Sequence, residues 1–293
     1  MIFNDHTHKE KEACSNEHAS FFSNKANAGE LIEQFIESGA YKQYKRLECE
    51  KKILNKKIHD HLIHHESRRH EIGYNLVAKF IPQKIFKYDY PALNEFLYDR
   101  GLLFKLTKLT SSNIKKYPDL LHLFEFYSLS PEFFIKPSFN KLGKELTRVE
   151  KSQSLQRLSF ESAAKKRRHN MNHLKETEAE YAVLKQRMEL CPRIIHEKKI
   201  PHKYGSVSLI QKPLVYDNRK LKSKDEIQTL IEFGIPNMDH LKLFVSRGFI
   251  SENEIDSFRH LEDIKLNFVI MDIDEEAKMR AYLYEKTLRR SII

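Results

Sequence analysis

Apolar residues recur at helical spacing over long parts of the chain. The pattern starts at Glu30, where Leu31, Ile32, Phe35 and Ile36 share one face and Gly39 supplies a stop. A second run, Tyr41–Ile72, contains neither Gly nor Pro. Its stripe is Tyr44, Leu47, Lys51, Leu54, Ile58, His61 with Leu62, His65, Arg69 and Ile72. Spacings that alternate between three and four predict one helix with a seam, apolar in its first half and polar in its second. A third run lies between Gly143 and Pro192. There Phe160, Ala163, Arg167, Asn170, Leu174, Thr177, Tyr181, Leu184, Met188 and Cys191 keep a heptad register. This predicts a long helix over about 145–190, with the seam of a helical hairpin or coiled coil. Arg167 and Asn170 interrupt the seam, which suits regulated or heteromeric pairing better than a perfect zipper.

The remaining stretches read as shorter pieces. Residues 74–142 crowd aromatic side chains among five prolines and read as the best-packed core. Within them Leu103–Thr110 alternates weakly, as a strand would. Residues 192–222 form a connector in which Val207–Ile210 and Leu214–Tyr216 could pair as a small hairpin. Residues 223–262 predict three short helices, and Ile264–Asp274 a β-rich buried strand. Glu275–Arg290 predicts a closing helix, acidic at its start and basic at its end as the helix dipole favours. The segments Leu97–Leu103 and Phe244–Ile250 echo one another around Gly101 and Gly248. The shared grammar is a helix stop, with glycine as the left-handed cap and an apolar residue folding back after it.

These elements predict a mainly α fold, α+β at most through a small minor sheet. Two long helices with partly apolar seams accompany compact bundles of short helices. The expected division is a polar N-terminal arm (1–28), a helical segment with an aromatic-rich core (29–142), a long helix (143–191) and a short-helix C-terminal domain (192–293).

Composition narrows the chemistry. The chain has 293 residues and eight glycines, no two of them closer than ten positions. That spacing excludes a GxGxxG dinucleotide turn, a GxxxxGK[ST] phosphate loop and a GxSxG nucleophile elbow. Three widely spaced cysteines exclude a disulfide framework or a four-cysteine zinc site within one chain and suit a reducing cytosol. The opening residues lack an apolar core, so no secretory signal is expected. The longest apolar runs are far short of the ~20 residues a bilayer span needs, so no membrane partner is expected. The formal net charge of +10 permits association with phosphate-rich or acidic partners.

Four groups of residues could carry chemistry. The string around His59, Asp60, His61, His64, His65, Glu66 and His70 is the densest in metal-ligand types. His61 and His65 lie four apart on one helix face, and His169 and His173 form a similar pair on the other long helix. The arginines Arg68 and Arg69 oppose a dication there, and His6, His8, Cys14 and His18 read as a solvated tail. Lys165, Lys166, Arg167 and Arg168 form a cation cluster suited to backbone phosphates or an acidic protein. Glu226–Phe244 matches a helix-turn-helix in part, with Leu230 and His240 against the match. Asp272 and Asp274 close the last strand, where carboxylates bind Mg²⁺ or simply start a helix.

The reading that joins these observations is a non-catalytic cytosolic interaction protein without a cofactor. It grips a protein partner or its own copy through long helices, with Phe160, Leu174, Tyr181, Leu184 and Met188 as the partner-helix seam. The first alternative is a nucleic-acid-binding protein using the basic cluster at 165–173 and the helix-turn-helix at 226–244. The second is a metal-dependent hydrolase using the His-rich segment 59–70.

Overall fold

The computed structural model describes residues 27–150 and 153–291. The polar arm expected at 1–28, with His6, His8, Cys14 and His18, therefore lies outside the described residues except for Asn27 and Ala28. In chain order the elements are α1 (Ala28–Glu37), α2 (Ala40–Leu62), β1 (Arg69–Gly73), β2 (Leu76–Tyr88), α3 (Tyr90–Asp99), α4 (Leu103–Leu106), β3 (Thr107–Lys108), α5 (Pro118–Phe124) and β4 (Phe133–Phe139). There follow α6 (Lys141–Thr147), α7 (Gln153–Gln156), α8 (Phe160–Glu189), α9 (Pro192–Glu197), β5 (Lys199–His202), β6 (Gly205–Gln211), α10 (Lys224–Phe233), β7 (Ile235–Pro236), α11 (Met238–Ser246), α12 (Glu252–Asp256), β8 (Arg259–Asp272) and α13 (Ile273–Ser291).

The mainly α expectation is overturned. The structure is 56% helix and 23% strand, with three small antiparallel sheets, which makes it α+β. The physical reason is non-local pairing. β2 pairs with β8 over its whole length, from Leu76 opposite Asp272 to Tyr88 opposite Arg259, and β1 covers only the first four residues of β2. The helix expected to reach Ile72 stops at Leu62, and the chain re-enters as β1. A two-residue turn at Tyr74 and Asn75, both with positive φ, joins β1 to β2, as a tight type I′ hairpin requires. The long helix expected from about residue 145 starts only at Phe160. Ser159 caps it, its hydroxyl accepting the Ser162 N–H at 3.2 Å. The hairpin in the connector pairs β5 with β6, and Val215 and Tyr216 instead bridge to Thr110 and Ser128.

The chain forms two compact units, each made of three segments. Of the described residues, the first comprises 27–52, 134–150 with 153, and 170–210; the second comprises 53–133, 154–169 and 211–291. In the first unit α1 packs its apolar face, Leu31, Ile32, Phe35 and Ile36, against Leu184, Met188 and Cys191 and against Ile200, Tyr204 and Val207 of the β5–β6 hairpin. An Asn27–Glu30 capping box starts that helix. Tyr181 of α8 stacks on Phe35 at 5.7 Å and contacts the rings of Tyr41 and Tyr44 of α2.

The second unit buries an aromatic and leucine-rich core from α3, α4, α5, α10 and α11, including Leu93, Leu97, Leu103, Phe124, Leu230 and Leu241. Two matched helix ends shape this core. Gly101 and Gly248 take φ of +67° and +75°. The following N–H groups, of Leu102 and Phe249, donate back to the carbonyls of Leu97 and Phe244. Both are Schellman caps, which explains the sequence echo.

One buried polar network ties the pieces of this core together. The Asn94 amide, fully buried, donates to the carbonyls of Ile231 and Gly234 at 2.9 Å each and accepts from the Thr107 hydroxyl at 2.8 Å. The Thr107 carbonyl in turn accepts from the Asn218 amide at 2.6 Å. The network pins β3 against β7 beside the end of α10. An unmade buried hydrogen bond costs about 1–3 kcal/mol. Asn94→Ala strands three such groups, so urea unfolding is expected to show a loss of about 3 kcal/mol or more. Thr107→Val, which removes one bond, is expected to lose clearly less, and equal losses would contradict the network.

Candidate functional site

The residues singled out by the sequence go to different places. Of the four consecutive cations, Lys165 and Lys166 are exposed. Arg167 is only 3% exposed; its Nε donates to the Asn55 amide oxygen at 2.7 Å, and burial lowers its pKa. Arg168 is ion-paired with Asp272, whose carboxyl is held below its ordinary range mainly by that hydrogen bond. Half of the expected phosphate-contacting cluster is therefore spent inside the second unit.

The histidines are held by rings and local bonds. His61 stacks on Phe160 at 4.3 Å, and His65 lies 5.9 Å from His61 and 5.6 Å from His70. His59 sits edge-on to Phe268 while its Nδ1 meets Asp60 at 2.9 Å. His169 is exposed, and His173 Nδ1 lies 3.3 Å from Glu176. Among the described residues no three His, Cys, Asp or Glu side chains come together as a metal-binding group.

The heptad positions of α8 face inward. Leu174, Leu184 and Met188 are buried, and Tyr181 and Phe160 are half-buried against rings of their own units. The polar interruption at Asn170 is buried as well, its amide donating to the Leu47 carbonyl at 2.9 Å. In the 226–244 region α10 and α11 are separated by β7, which pairs with β3, and His240 points to solvent. Asp272 and Asp274 both accept from the Asn75 amide at 3.0 Å, and Asp272 also accepts the Asp274 N–H. These two carboxylates thus anchor the start of α13, as helix-starting carboxylates do.

The anchor deepens at Glu276. Its side chain is buried and bonded to Arg69, Lys79 and Arg280. Those bonds, Arg69 foremost, push its carboxyl down to about 2. Among the described residues no helix is long and apolar enough to cross a membrane.

A different surface stands out, one the sequence reading did not pick. Cross-strand partners in an antiparallel pair share a face. On one face of the β2–β8 ribbon the pairs are Phe80 with Phe268, Pro82 with Leu266, Lys84 with Ile264 and, past a bulge, Phe86 with Leu261. Phe80 and Phe268 pack together at 4.9 Å beneath His59. At the far end the Arg259 guanidinium covers the Phe86 ring at 4.2 Å. Between these covers the row continues uncovered, with Leu261, Ile264 and Leu266 exposed by 48%, 55% and 41%. The opposite face pairs Ile81 with Asn267, Gln83 with Lys265 and Ile85 with Asp263, a mixed row with a polar member in each pair. The signal for this surface was the alternation Ile264, Leu266, Phe268, Ile270.

The chain matches no protein-family model, no curated protein and no solved structure in the comparisons made.

The Glu276 cluster gives a pH test. A carboxyl lowered in the folded state stabilises fully above its ordinary value of 4.5 and loses that contribution as pH falls toward 2. Hydrogen bonds to charged groups are worth about 1.5–3 kcal/mol. At pH 7 Glu276→Gln is expected to destabilise by that order. Chemical unfolding at stepped pH should show the gap to wild type narrowing below 4.5; a constant gap down to pH 3 would contradict this account.

Proposed function

We propose that the protein is a non-catalytic cytosolic interaction protein that docks a partner protein on the apolar face of the β2–β8 ribbon. The observation that carries this reading is the exposed row of Pro82, Leu266, Ile264 and Leu261, continuous with covered rings at both ends. Two paired strands alone are marginal in water, and apolar rows on them call for a cover. Burying an aliphatic side chain fully is worth roughly 1.5–3 kcal/mol, so these three half-exposed ones supply part of a partner's affinity and the partner's contacts around them the rest. Lys84, the charge within the row, favours a partner that brings a carboxylate to the same place. The cytosolic setting rests on three thiols and the absence of a paired-cysteine framework in the sequence.

The α8 seam no longer serves as the gripping surface in this reading, because Leu174, Leu184 and Met188 are buried and Phe160 and Tyr181 are half-buried against rings of the same chain. The cation cluster contributes through Lys165 and Lys166 alone. A photo-crosslinking residue placed at Ile264 is expected to give one discrete protein adduct in host cells. The same residue at Lys265, on the opposite face, is expected to give none. Purified protein yielding an adduct of twice the chain mass would identify the partner as a second copy. No adduct at Ile264, or equal adducts at both positions, would reject the ribbon face as the docking surface.

A further inference from the structure

The second unit also carries a cleft of about 600 Å³ between the second half of α2 and the residues leading into α8. It is separate from the ribbon face, and the two readings do not depend on each other. Residues 56, 57, 60 and 61 stand at i, i+1, i+4 and i+5 on α2, so they line one side of the helix. The Lys57 ammonium donates to the Gln156 carbonyl at 2.8 Å, which ties the opposite wall to α2 and fixes that cation at the cleft. An ammonium has three donors, so two remain for a ligand. Lys56 is exposed beside it and has no carboxylate partner among the described residues. The one acidic lining group, Asp60, is engaged by His59 and leaves its second oxygen for a hydroxyl donor. The charged lining groups thus sum to a net cation.

The floor is flat. His61 and Phe160 stack with ring centroids 4.3 Å apart and planes 27° off parallel, and Leu158 adds an apolar wall. A volume of this size lies in the range of pockets that take small organic ligands, about 300–1,000 Å³, and far exceeds what one inorganic anion fills. Two ammonium groups beside a ring platform call for a ligand with both phosphate and an aromatic ring.

We propose that this cleft binds a nucleotide, its phosphates on Lys56 and Lys57 and its base stacked against the His61–Phe160 pair. Asp60 accepts from a sugar hydroxyl in that arrangement. Calorimetric titration of the intact protein with ADP at low salt tests it, with adenosine and inorganic phosphate as parallel ligands. One saturable ADP site is expected, with adenosine and phosphate each at least about tenfold weaker, because neither engages both halves of the cleft. Lys56→Glu changes an exposed position and keeps the fold; it is expected to weaken ADP by roughly tenfold or more. Phe160→Leu is expected to weaken ADP by a similar factor, with the far-UV spectrum and a cooperative thermal transition retained although the lost ring packing lowers the midpoint. Lys116→Glu, an exposed cation outside the cleft, is expected to leave ADP binding unchanged. The proposal fails if ADP gives no saturable binding at millimolar concentration. It also fails if phosphate binds as well as ADP, or if Lys116→Glu weakens binding as much as Lys56→Glu.

Discussion

Two polar side chains on a mostly apolar helix face govern how this chain uses its hydrophobic surface. In the first unit Asn170 donates to the main-chain carbonyl of Leu47; in the second, Arg167 donates to the amide of Asn55. Burying an amide or a guanidinium without a partner costs several kcal/mol, so each segment of α8 is held at the one register that supplies the acceptor. Around these bonds the contacts run antiparallel within each unit: Tyr181 meets Tyr41 and Tyr44 in one, and Phe160 meets His61 in the other. The seam is consumed inside the chain, and the polar breaks that suggested an external partner act as internal register locks.

That consumption redistributes charge as well as grease. Arg168 neutralises Asp272, while Arg69, Lys79 and Arg280 converge on Glu276. Several of the basic residues behind the +10 formal charge are thus structural, and they secure the junction where β8 gives way to α13. Two features stand out at the surface among the described residues. One is the apolar row of the ribbon; the other is the lysine-lined cleft on α2 with its stacked rings. A basic composition by itself distinguished neither of these from a solvated mosaic.

Local rules were legible in the sequence and distant pairings were not. The Schellman ends at Gly101 and Gly248 were readable because a cap is decided by a few neighbouring residues. The same holds for the three helices between Lys224 and Asp256, and for the inward face of α8, where 3.6-residue periodicity suffices. β6 and most of β8 were readable as strands at Val207–Ile210 and Ile264–Asp274, but what they pair with was not, for the opposite reason. Arg69 and Ile72 continue the helical spacing of α2 by coincidence, yet the Tyr74–Asn75 turn makes them β1. β2 finds its partner in β8, whose residues lie far along the chain, and Pro82 disguises it further. The site suffered likewise: nothing near Arg167 or Arg168 announces Asn55 or Asp272.

Hydrogen exchange of the amides of residues 163–188, followed across a hundredfold dilution with mass monitored by light scattering, tests the internal seam most directly. The account predicts slow exchange that does not change with concentration in single chains. Fast exchange in single chains that slows only on association would show that the seam closes between molecules, and would contradict it.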